Sequence, residues 1–503
     1  MNDKIKTGRN RDLFNLFILL AVTLSIGVYL IVTTVVIAKD GVTFIEYARQ
    51  LDAGNDAIIK DHYQHPGYPF LIFAVHKIFA IFSQSDSNLA WAYCAQSVSL
   101  LFRLLAVVVI YYIGSRIVGP NKSFWSVLVL ICLPSLAEYG SDALSDWPHL
   151  FFLALGLLLL IRFSNIWWQF GFIGLVAGLG YLIRPECAQL VIFACAWLGI
   201  RFFMSEPVGT RLKVVASFAV LCIGFGLIAT PYMLSKGALL PKKKLNFSSS
   251  SFQENATQPP QQTVMLAGFD FSQLPARKMG GAVCKFIENL GETYMWFFVL
   301  PLILGIFVVI RQQKGIDPEK FFICSLIIFN ILILTWLYCR HGYMSRRHTM
   351  PLYAVLSVYL YSGIEIVEAW IKRKFSGTRI SYVHNGRFWL YITVATGILI
   401  CTPKLLRPVG YDKQGFRTVA DWIKNNTQDS DLIAVPDKRI GFYSRRAYVF
   451  YDDCDVELPG SDYIVLMTQS NKVENDNLNL RVDTLYSIDM GEKQLSVISP
   501  KTH

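Results

Sequence analysis

One short stretch of the sequence carries three carboxylates and a histidine, namely Glu138, Asp142, Asp146 and His149. Carboxylate and imidazole groups can position an acceptor, coordinate a divalent cation or stabilise a developing charge. Asp142 and Asp146 are four residues apart, so they share a face if this stretch is helical. Helix capping ahead of Pro148 explains one of these acids well and the others poorly. We therefore treat Glu138, Asp146 and His149 as candidate ligands of an acceptor or of a metal ion.

A single acid, Asp40, follows the first long apolar run, residues 13–38. A carboxylate where a membrane helix meets water can accept a proton from a hydroxyl or an amine and so act as a general base. For an isolated aspartate, a polar stop at the end of the helix is the better explanation. Other charged residues recur, however, at the ends of later apolar runs on the same side of the membrane, and this recurrence favours a polar site.

Arginines interrupt or precede two other apolar runs. Arg184 breaks the run 167–203, and Arg346 and Arg347 precede the run 350–370. A guanidinium group near a membrane core is costly, and its planar fork suits bidentate contact with phosphate. A structural ion pair with a carboxylate is nearly as good an explanation for Arg184. For Arg346 and Arg347 the alternative is an anchor at the outer membrane interface, which is a weaker explanation because outer loops are usually poor in arginine.

A proline-rich turn, from His65 to Pro69, leads into a short apolar run at residues 68–82. Prolines fix a turn and start a helix, and the intervening glycine lets the backbone approach a ligand. His65 can contact phosphate or ligate a metal, although a lone histidine is more often an ordinary hydrogen-bonding residue. No cofactor is required by these patterns, and a divalent cation is the one candidate.

The elements that must position these residues are membrane helices. The chain has 503 residues, of which 53% are hydrophobic and 17% charged, and its mean hydropathy is +0.40. This composition excludes an ordinary soluble protein. A bilayer core needs about 20 helical residues. About eleven apolar runs reach or approach that length: 13–38, 89–113, 124–137, 147–161, 167–183, 187–203, 214–234, 294–310, 321–337, 350–370 and 388–401.

The run 68–82 is about four turns long, which suits a helix lying at the membrane interface. With this run left out of the count, lysine and arginine concentrate in alternate loops, as expected of cytoplasmic segments. The N-terminus is then cytoplasmic, and the candidate site residues and the C-terminal segment are extracytoplasmic. We expect an integral protein of the plasma or inner membrane. The net charge of +11 comes mostly from the lysine and arginine residues of the predicted cytoplasmic loops. It does not indicate a nucleic-acid partner, and none is expected.

Three outward segments are predicted: 39–88, 235–293 and everything after residue 402. Residues 1–402 form the predicted membrane domain, and residues 411–503 change character and form a predicted small α/β domain. The predicted elements of this domain are a helix at 416–425 and strands at 432–435, 447–451, 463–467 and 495–498. The predicted fold class is an α-helical polytopic membrane protein with about eleven spans, one interfacial helix and a small C-terminal α/β soluble domain.

The order of these features resembles the polyprenyl-phosphate-dependent membrane glycosyltransferases, a superfamily that includes protein O-mannosyltransferases and lipid A aminoarabinose transferases. The resemblance covers roughly residues 13–370. Its motifs are Asp40 after the first helix, the turn from His65 to Pro69, Tyr-x-x-Gly-x-Arg from Tyr111 to Arg116, Ser-acid-Ala-Leu from Ser141 to Leu144, and Arg184-Pro185. No single motif is specific, but their order is moderately so.

The resemblance implies an inverting transfer of a sugar from a polyprenyl-phosphate donor, with Asp40 as the catalytic base. It implies that Asp142 is a second acidic residue of the catalytic site. It also implies that Arg184 and the Arg346/Arg347 pair hold the donor phosphate, and we add His65 to this donor-binding set. Because Gly41 stands where mannosyltransferases have a second acid, the acceptor class stays open among lipid, glycan and protein.

Two rival readings predict different placements of charge. A transporter or lipid-linked sugar flippase would place charges deep inside several spans, often in duplicated halves. No internal repeat is visible, and the charges fall at the ends of the runs. A membrane-anchored binding protein, whose terminal domain does the work, would make the outer acids dispensable.

Overall fold

The computed structural model describes residues 2–83, 87–163, 165–204, 208–237, 276–312, 317–374, 388–451, 461–469, 484–491 and 493–499. Most of the predicted outward segment 235–293 lies outside these residues.

The described α-helices are α1 (Asn2–Val32), α2 (Lys39–Asp52), α3 (Ala57–Asp61), α4 (Gly67–Phe82), α5 (Asn88–Ile117), α6 (Pro120–Cys132), α7 (Pro134–Tyr139), α8 (Asp146–Phe163), α9 (Gln169–Ile183), α10 (Gln189–Met204), α11 (Val208–Lys236), α12 (Ala276–Thr293), α13 (Val299–Gln312), α14 (Pro318–His341), α15 (Arg346–Leu356), α16 (Leu360–Lys374), α17 (Phe388–Leu405), α18 (Gln414–Asn426) and α19 (Lys438–Ser444). Short 3₁₀ turns occur at Pro185–Ala188, Ser357–Tyr359 and Tyr411–Lys413.

Eight helical segments in the described residues are long and apolar enough to cross a membrane. Each overlaps one of the predicted runs, which confirms the membrane fold class. Three further apolar helices, α4, α9 and α13, are shorter. The helix α4 corresponds to the run that we predicted to lie at the interface.

The predicted run 124–137 is not one helix, because a proline divides it. The helix α6 ends at Cys132, and α7 starts at Pro134. The residue between them, Leu133, has φ −70° and ψ 122°, the extended conformation that a following proline favours. The result is a break in the helix immediately before the acidic stretch.

The first membrane helix also ends earlier than predicted. Helix α1 stops at Val32, and residues 33–38 form a non-helical connector before α2 begins at Lys39. The connector contains Thr-Thr-Val-Val-Ile, a β-branched run that favours extended backbone. Asp40 therefore lies in the first turn of α2, where the helix dipole favours a negative charge, and not at the end of the first helix.

Glycines allow α9 and α11 to pack closely. A Cβ added at Gly174 would meet the carbonyl oxygen of Leu221 at 2.3 Å, and one added at Gly224 would meet that of Gly171 at 2.3 Å. Small residues let helix backbones approach each other where lipid supplies no hydrophobic driving force. This packing fixes the end of α9, which leads directly into Arg184.

The C-terminal part forms a mixed five-stranded sheet. Its strands are β1 (Leu432–Val435), β2 (Ala447–Phe450), β3 (Tyr463–Gln469), β4 (Thr484–Asp489) and β5 (Lys493–Ile498), in the order β2-β1-β3-β5-β4. β1 is parallel to β2 and β3, and β5 is antiparallel to β3 and β4. The predicted helix and the four predicted strands are present. Two further elements were not predicted: α19, which contains a glycine, and the exposed edge strand β4.

Candidate active site

Arg347 joins two acids that are far apart in the sequence. Its Nη1 lies 2.7 Å from Oδ2 of Asp40, and its Nε and Nη2 each lie 3.0 Å from Oδ2 of Asp146. The three side chains come from the first turns of α15, α2 and α8. The N-terminal ends of three helices therefore meet at this contact, and each contributes a partial positive charge.

Arg184 completes the cluster from the end of α9. Its Nη2 lies 3.1 Å from Oδ1 of Asp146, and its Nε donates a hydrogen bond to Oγ of Ser145 at 3.0 Å. The side chain of Arg184 is 5% exposed and that of Asp146 1%. Because burial of charge is costly unless opposite charges and hydrogen bonds offset it, these four ionic groups depend on one another. Pro185 favours the extended backbone of Arg184, which ends α9 at this point.

Asp142 lies beside this ion cluster but has different partners. Its Oδ1 accepts hydrogen bonds from the backbone N–H groups of Ala38 at 3.0 Å and Ala143 at 2.7 Å. Burial raises the pKa of Asp142 to about 6. Asp142 lies in the loop before α8, whereas Asp146 starts that helix, so the two acids do not share a helix face. The Asp142 carboxyl ties this loop to the connector that precedes Asp40.

Glu138 and Arg346 lie outside the ion cluster. Glu138 is exposed near the end of α7. The Nε of Arg346 lies 3.2 Å from Oε2 of Glu292 on α12, and both side chains are more than a third exposed. Arg346 and Arg347 are neighbours in the sequence and were predicted to act as one pair. Their surroundings in the structure are different.

Two of the predicted histidines line a cleft that opens beside the cluster. His65 is buried against the rings of Tyr181 and Tyr232, with centroids 5.1 Å away in each case. Burial lowers the pKa of His65 to about 3, so its imidazole is neutral. His149 is 2% exposed, and its ring nitrogens have no hydrogen-bond partner among the described side and main chains. Arg184 and Arg347 line the same cleft.

A family profile, that of dolichyl-phosphate-mannose-protein mannosyltransferases, matches residues 64–234. This stretch holds His65, Asp142, Asp146 and Arg184. No curated protein matches the sequence.

Solved structures resemble the chain over almost its whole length. ArnT from Cupriavidus metallidurans bound to undecaprenyl phosphate has a TM-score of 0.62 at 13% identity, covering 96% of this chain and 98% of that one. Its apo state gives a TM-score of 0.59 at 12% identity, covering 96% and 97%. The archaeal oligosaccharyltransferase AglB from Archaeoglobus fulgidus, in complex with an inhibitory peptide and a dolichol-phosphate, gives 0.55 at 10% identity, covering 91% and 69%.

The chain has the fold of a polyprenyl-phosphate-dependent membrane glycosyltransferase. The resemblance predicted from the sequence is thereby confirmed, and it extends beyond residue 370 into the C-terminal sheet domain. The protein is an integral membrane protein, as its apolar helices and its family match both indicate.

In this glycosyltransferase fold, one wall of the cleft was missed by the sequence analysis. Asn330, Leu334, Leu337 and His341 of α14 line it, and they follow one another at intervals of four, three and four residues. Such spacing marks one face of a helix. The available signal was Asn330, a polar residue inside the apolar run 321–337. The missed polar lining also includes Ser145 and His348.

A cationic side chain already lies between Asp40 and Asp146. Both carboxylates already bind Arg347, and Asp146 also binds Arg184. Within the described ranges, no three His, Cys, Asp or Glu side chains come together as ligands of a metal ion. Guanidinium forks also match phosphate oxygens, so Arg184 and Arg347 are able to pair with a phosphate group as well as with the two acids.

Proposed function

We propose that this protein is a glycosyltransferase that moves a sugar from a polyprenyl-phosphate donor to an acceptor, with Asp40 as the general base. The observation that carries this proposal is the contact of Asp40 with Arg347 at the edge of a cleft. The base and the cationic group that would bind the leaving phosphate then lie side by side. The family match over residues 64–234 and the ArnT-like fold support the same reaction class.

The cleft has the two kinds of lining that such a donor requires. Arg184 and Arg347 line it, and Ile333, Leu334 and Leu337 of α14 form an apolar wall. A phosphate beside the two arginines would meet their guanidinium groups and the N-terminal ends of three helices. The isoprenoid chain would lie along the apolar wall, where it stays in contact with hydrocarbon.

The acceptor hydroxyl or amine would attack the anomeric carbon of the sugar. A bond forms between the acceptor atom and that carbon, and the bond from the carbon to the phosphate oxygen breaks, with its electron pair leaving on the phosphate. The acceptor proton goes to the Asp40 carboxylate. A single displacement of this kind inverts the anomeric configuration. Arg184 and Arg347 neutralise the charge that grows on the leaving phosphate, which is the electrostatic part of the catalysis.

Arg347 has a double task in this scheme. In the structure its guanidinium binds Asp40 at 2.7 Å and so occupies the carboxylate that would take the acceptor proton. A donor phosphate would compete for the same guanidinium and so release Asp40 for proton transfer. The neutral imidazole of His65 adds a hydrogen-bond donor for a phosphate or sugar oxygen, and Arg346, the neighbour of Arg347 in the chain, adds a more exposed cation. We assign Asp142 to the same site because its carboxylate accepts a hydrogen bond from the Ala38 amide, in the connector before Asp40.

The two ends of the helix bundle differ in their charged residues. Arg11 near the start of α1 donates a hydrogen bond to Asn121 at 3.0 Å, and the basic residues Arg116 and Lys122 lie at that same end. Asp40 lies beyond the opposite end of α1. The distribution of lysine and arginine favours a cytoplasmic location for the basic end, so we propose that the site and the C-terminal domain are extracytoplasmic.

The test is transfer of radiolabelled sugar from polyprenyl-phosphate donors by the purified protein in liposomes. The wild type is compared with Asp40→Asn and with Asp52→Asn, which changes an acid of the same helix α2 that binds Lys77. Transfer or donor hydrolysis that only Asp40→Asn abolishes supports the proposal, and the expected loss is about 100-fold or more. Full activity of Asp40→Asn at normal expression contradicts the assigned base. Movement of donor between leaflets without any sugar transfer favours a flippase instead.

A further inference from the structure

The connector between α1 and α2 is held by side chains from two distant parts of the chain. The backbone N–H of Ile37 donates a hydrogen bond to the Tyr443 hydroxyl at 3.1 Å. The next N–H, that of Ala38, donates to Oδ1 of Asp142 at 3.0 Å. These two amide groups lie just ahead of the first turn of α2, which carries Asp40. The backbone that sets the position of Asp40 is therefore fixed from the membrane domain and from the C-terminal domain at once.

The segment that leads from α17 into the C-terminal domain contacts the same connector through its backbone. The N–H of Val35 donates to the carbonyl oxygen of Val409 at 3.0 Å. At Gly410, an added Cβ would lie 2.0 Å from the carbonyl oxygen of Val36, so the two chain segments approach as closely as a glycine allows. The side chain of Ile37 is 1% exposed. Water cannot readily replace the Tyr443 hydroxyl at such a buried amide.

Tyr443 is itself held firmly within the C-terminal domain. It belongs to α19, whose first turn is capped by Oδ1 of Asp437, which accepts from the N–H of Arg439 at 3.0 Å. The guanidinium of Arg417 lies 4.4 Å from the centre of the Tyr443 ring, a cation–π contact. The hydrogen bond between the Tyr443 hydroxyl and the Ile37 amide therefore fixes the connector relative to the C-terminal domain.

A second contact joins the same domain to α2. Glu46, on α2, binds Nζ of Lys438 at 3.1 Å and accepts a hydrogen bond from the Tyr448 hydroxyl. This contact reaches the middle of α2 and does not touch the connector. Tyr443 and Tyr448 thus offer a matched pair: two tyrosine hydroxyls of one domain, of which only one binds the backbone ahead of Asp40.

We infer that the C-terminal domain is part of the catalytic machinery, and that Tyr443 is a positioning residue that holds Asp40 in place through the Ile37 amide. This inference rests on the proposed function, because it takes Asp40 as the base. Catalysis is sensitive to such positioning, since a misplacement of about 1 Å can lower a rate about 100-fold. A domain that moved relative to the membrane part would move the base with it.

The experiment compares full-length Tyr443→Phe and Tyr448→Phe with the wild type in liposomes. Each change removes one hydroxyl and keeps the ring. We expect Tyr443→Phe to lower kcat for sugar transfer about tenfold with the donor KM unchanged, and Tyr448→Phe to stay near the wild type. The inference would be overturned if the two substitutions lowered kcat equally. It would also be overturned if Tyr443→Phe changed only the donor KM.

Amide hydrogen exchange of the same proteins provides a readout that needs no activity. We expect faster exchange across residues 35–42 in Tyr443→Phe only, because the Ile37 amide loses its acceptor there. A wild type that transfers no sugar overturns the proposed function, and exchange then still decides whether Tyr443 holds the connector. Unchanged exchange in Tyr443→Phe overturns the positioning role even if the enzyme is active.

Discussion

Arg116 and Lys122 lie at one end of the helix bundle, whereas Arg184 and Arg347 lie at the other. At the first end, Arg116 binds Glu319 and Lys122 binds Glu365, each at 2.7 Å, with the basic side chains 58% and 38% exposed. At the other end, Arg184 and Asp146 are almost fully buried, and Arg347 is shared by two acids.

The comparison separates two uses of positive charge in one membrane protein. Exposed single ion pairs contribute little to stability, about 0–1 kcal/mol each. Their basic residues fit the general enrichment of lysine and arginine in the cytoplasmic loops of membrane proteins. The buried cluster costs solvation, which only its own contacts offset. Charge retained at that cost is better explained by chemistry than by stability.

The largest expected effect is on folding stability. Arg184→Met would leave part of the buried Asp146 charge without its partner, and we expect a loss of about 3 kcal/mol, at the lower end of what removal of one partner costs, because Arg347 still binds Asp146. The matched change Lys122→Met at the other end should cost less than about 1 kcal/mol. Unfolding of the two variants in the same detergent measures both values. Equal losses would remove the distinction between the two ends.

A second change tests whether the cleft continues from the buried cluster along α14. Leu337→Trp fills the apolar wall of the cleft, and we expect a donor KM about tenfold higher, equal to about 1.4 kcal/mol of lost binding. Leu332→Trp on the same helix changes a side chain that is 50% exposed and does not line the cleft. Initial rates over a range of donor concentrations give both KM values. A similar KM for the two variants would show that the donor does not use this wall.

A smaller effect concerns pH and Asp142. Its pKa is raised from 3.8 to about 6 in the folded protein, so between these values the folded state keeps a proton that the unfolded state releases. Stability therefore falls as the pH rises from about 4 to about 6 and is then constant for this group. Asp142→Asn should retain the acceptor for the Ala38 amide and lose this part of the pH dependence.

Melting temperatures of the wild type and Asp142→Asn at pH 5 and pH 7 measure this effect. The wild type should lose stability relative to the variant at the higher pH. A parallel pH dependence of the two proteins would contradict the assignment. In transfer assays the same substitution at Asp40 should be far more damaging, because Asp40 is the residue that we propose as the general base.

The smallest expected effect separates Arg346 from its neighbour. Because Arg346 is paired with Glu292 near the surface, Arg346→Gln should change stability by less than about 1 kcal/mol and should raise the donor KM less than Arg347→Gln does. Titration of both variants with donor is the measurement. If Arg346→Gln raised the donor KM more than Arg347→Gln, the phosphate would have to bind nearer the surface than the buried cluster.

Much of this architecture was predictable from the sequence. Apolar runs of membrane length gave the helical segments, since backbone groups in lipid must be satisfied within a helix. The proline-rich turn and the order of the motifs predicted the resemblance to the polyprenyl-phosphate-dependent membrane glycosyltransferases. The break between α6 and α7 and the early end of α1 were missed, although Pro134 and the β-branched residues before Lys39 were the available signals.

The sequence by itself determined that Asp40, Asp146, Arg184 and Arg347 are costly charges at the ends of apolar segments. Only the tertiary structure decided which charges meet: Arg347 binds both acids, Arg184 binds one, Arg346 turns to Glu292, and Asp142 binds backbone. The physical reason is that hydrophobicity fixes the depth of each residue along its own helix. Contacts between helix ends depend instead on how the helices pack and where the C-terminal domain docks, and no local pattern in the chain encodes those distances.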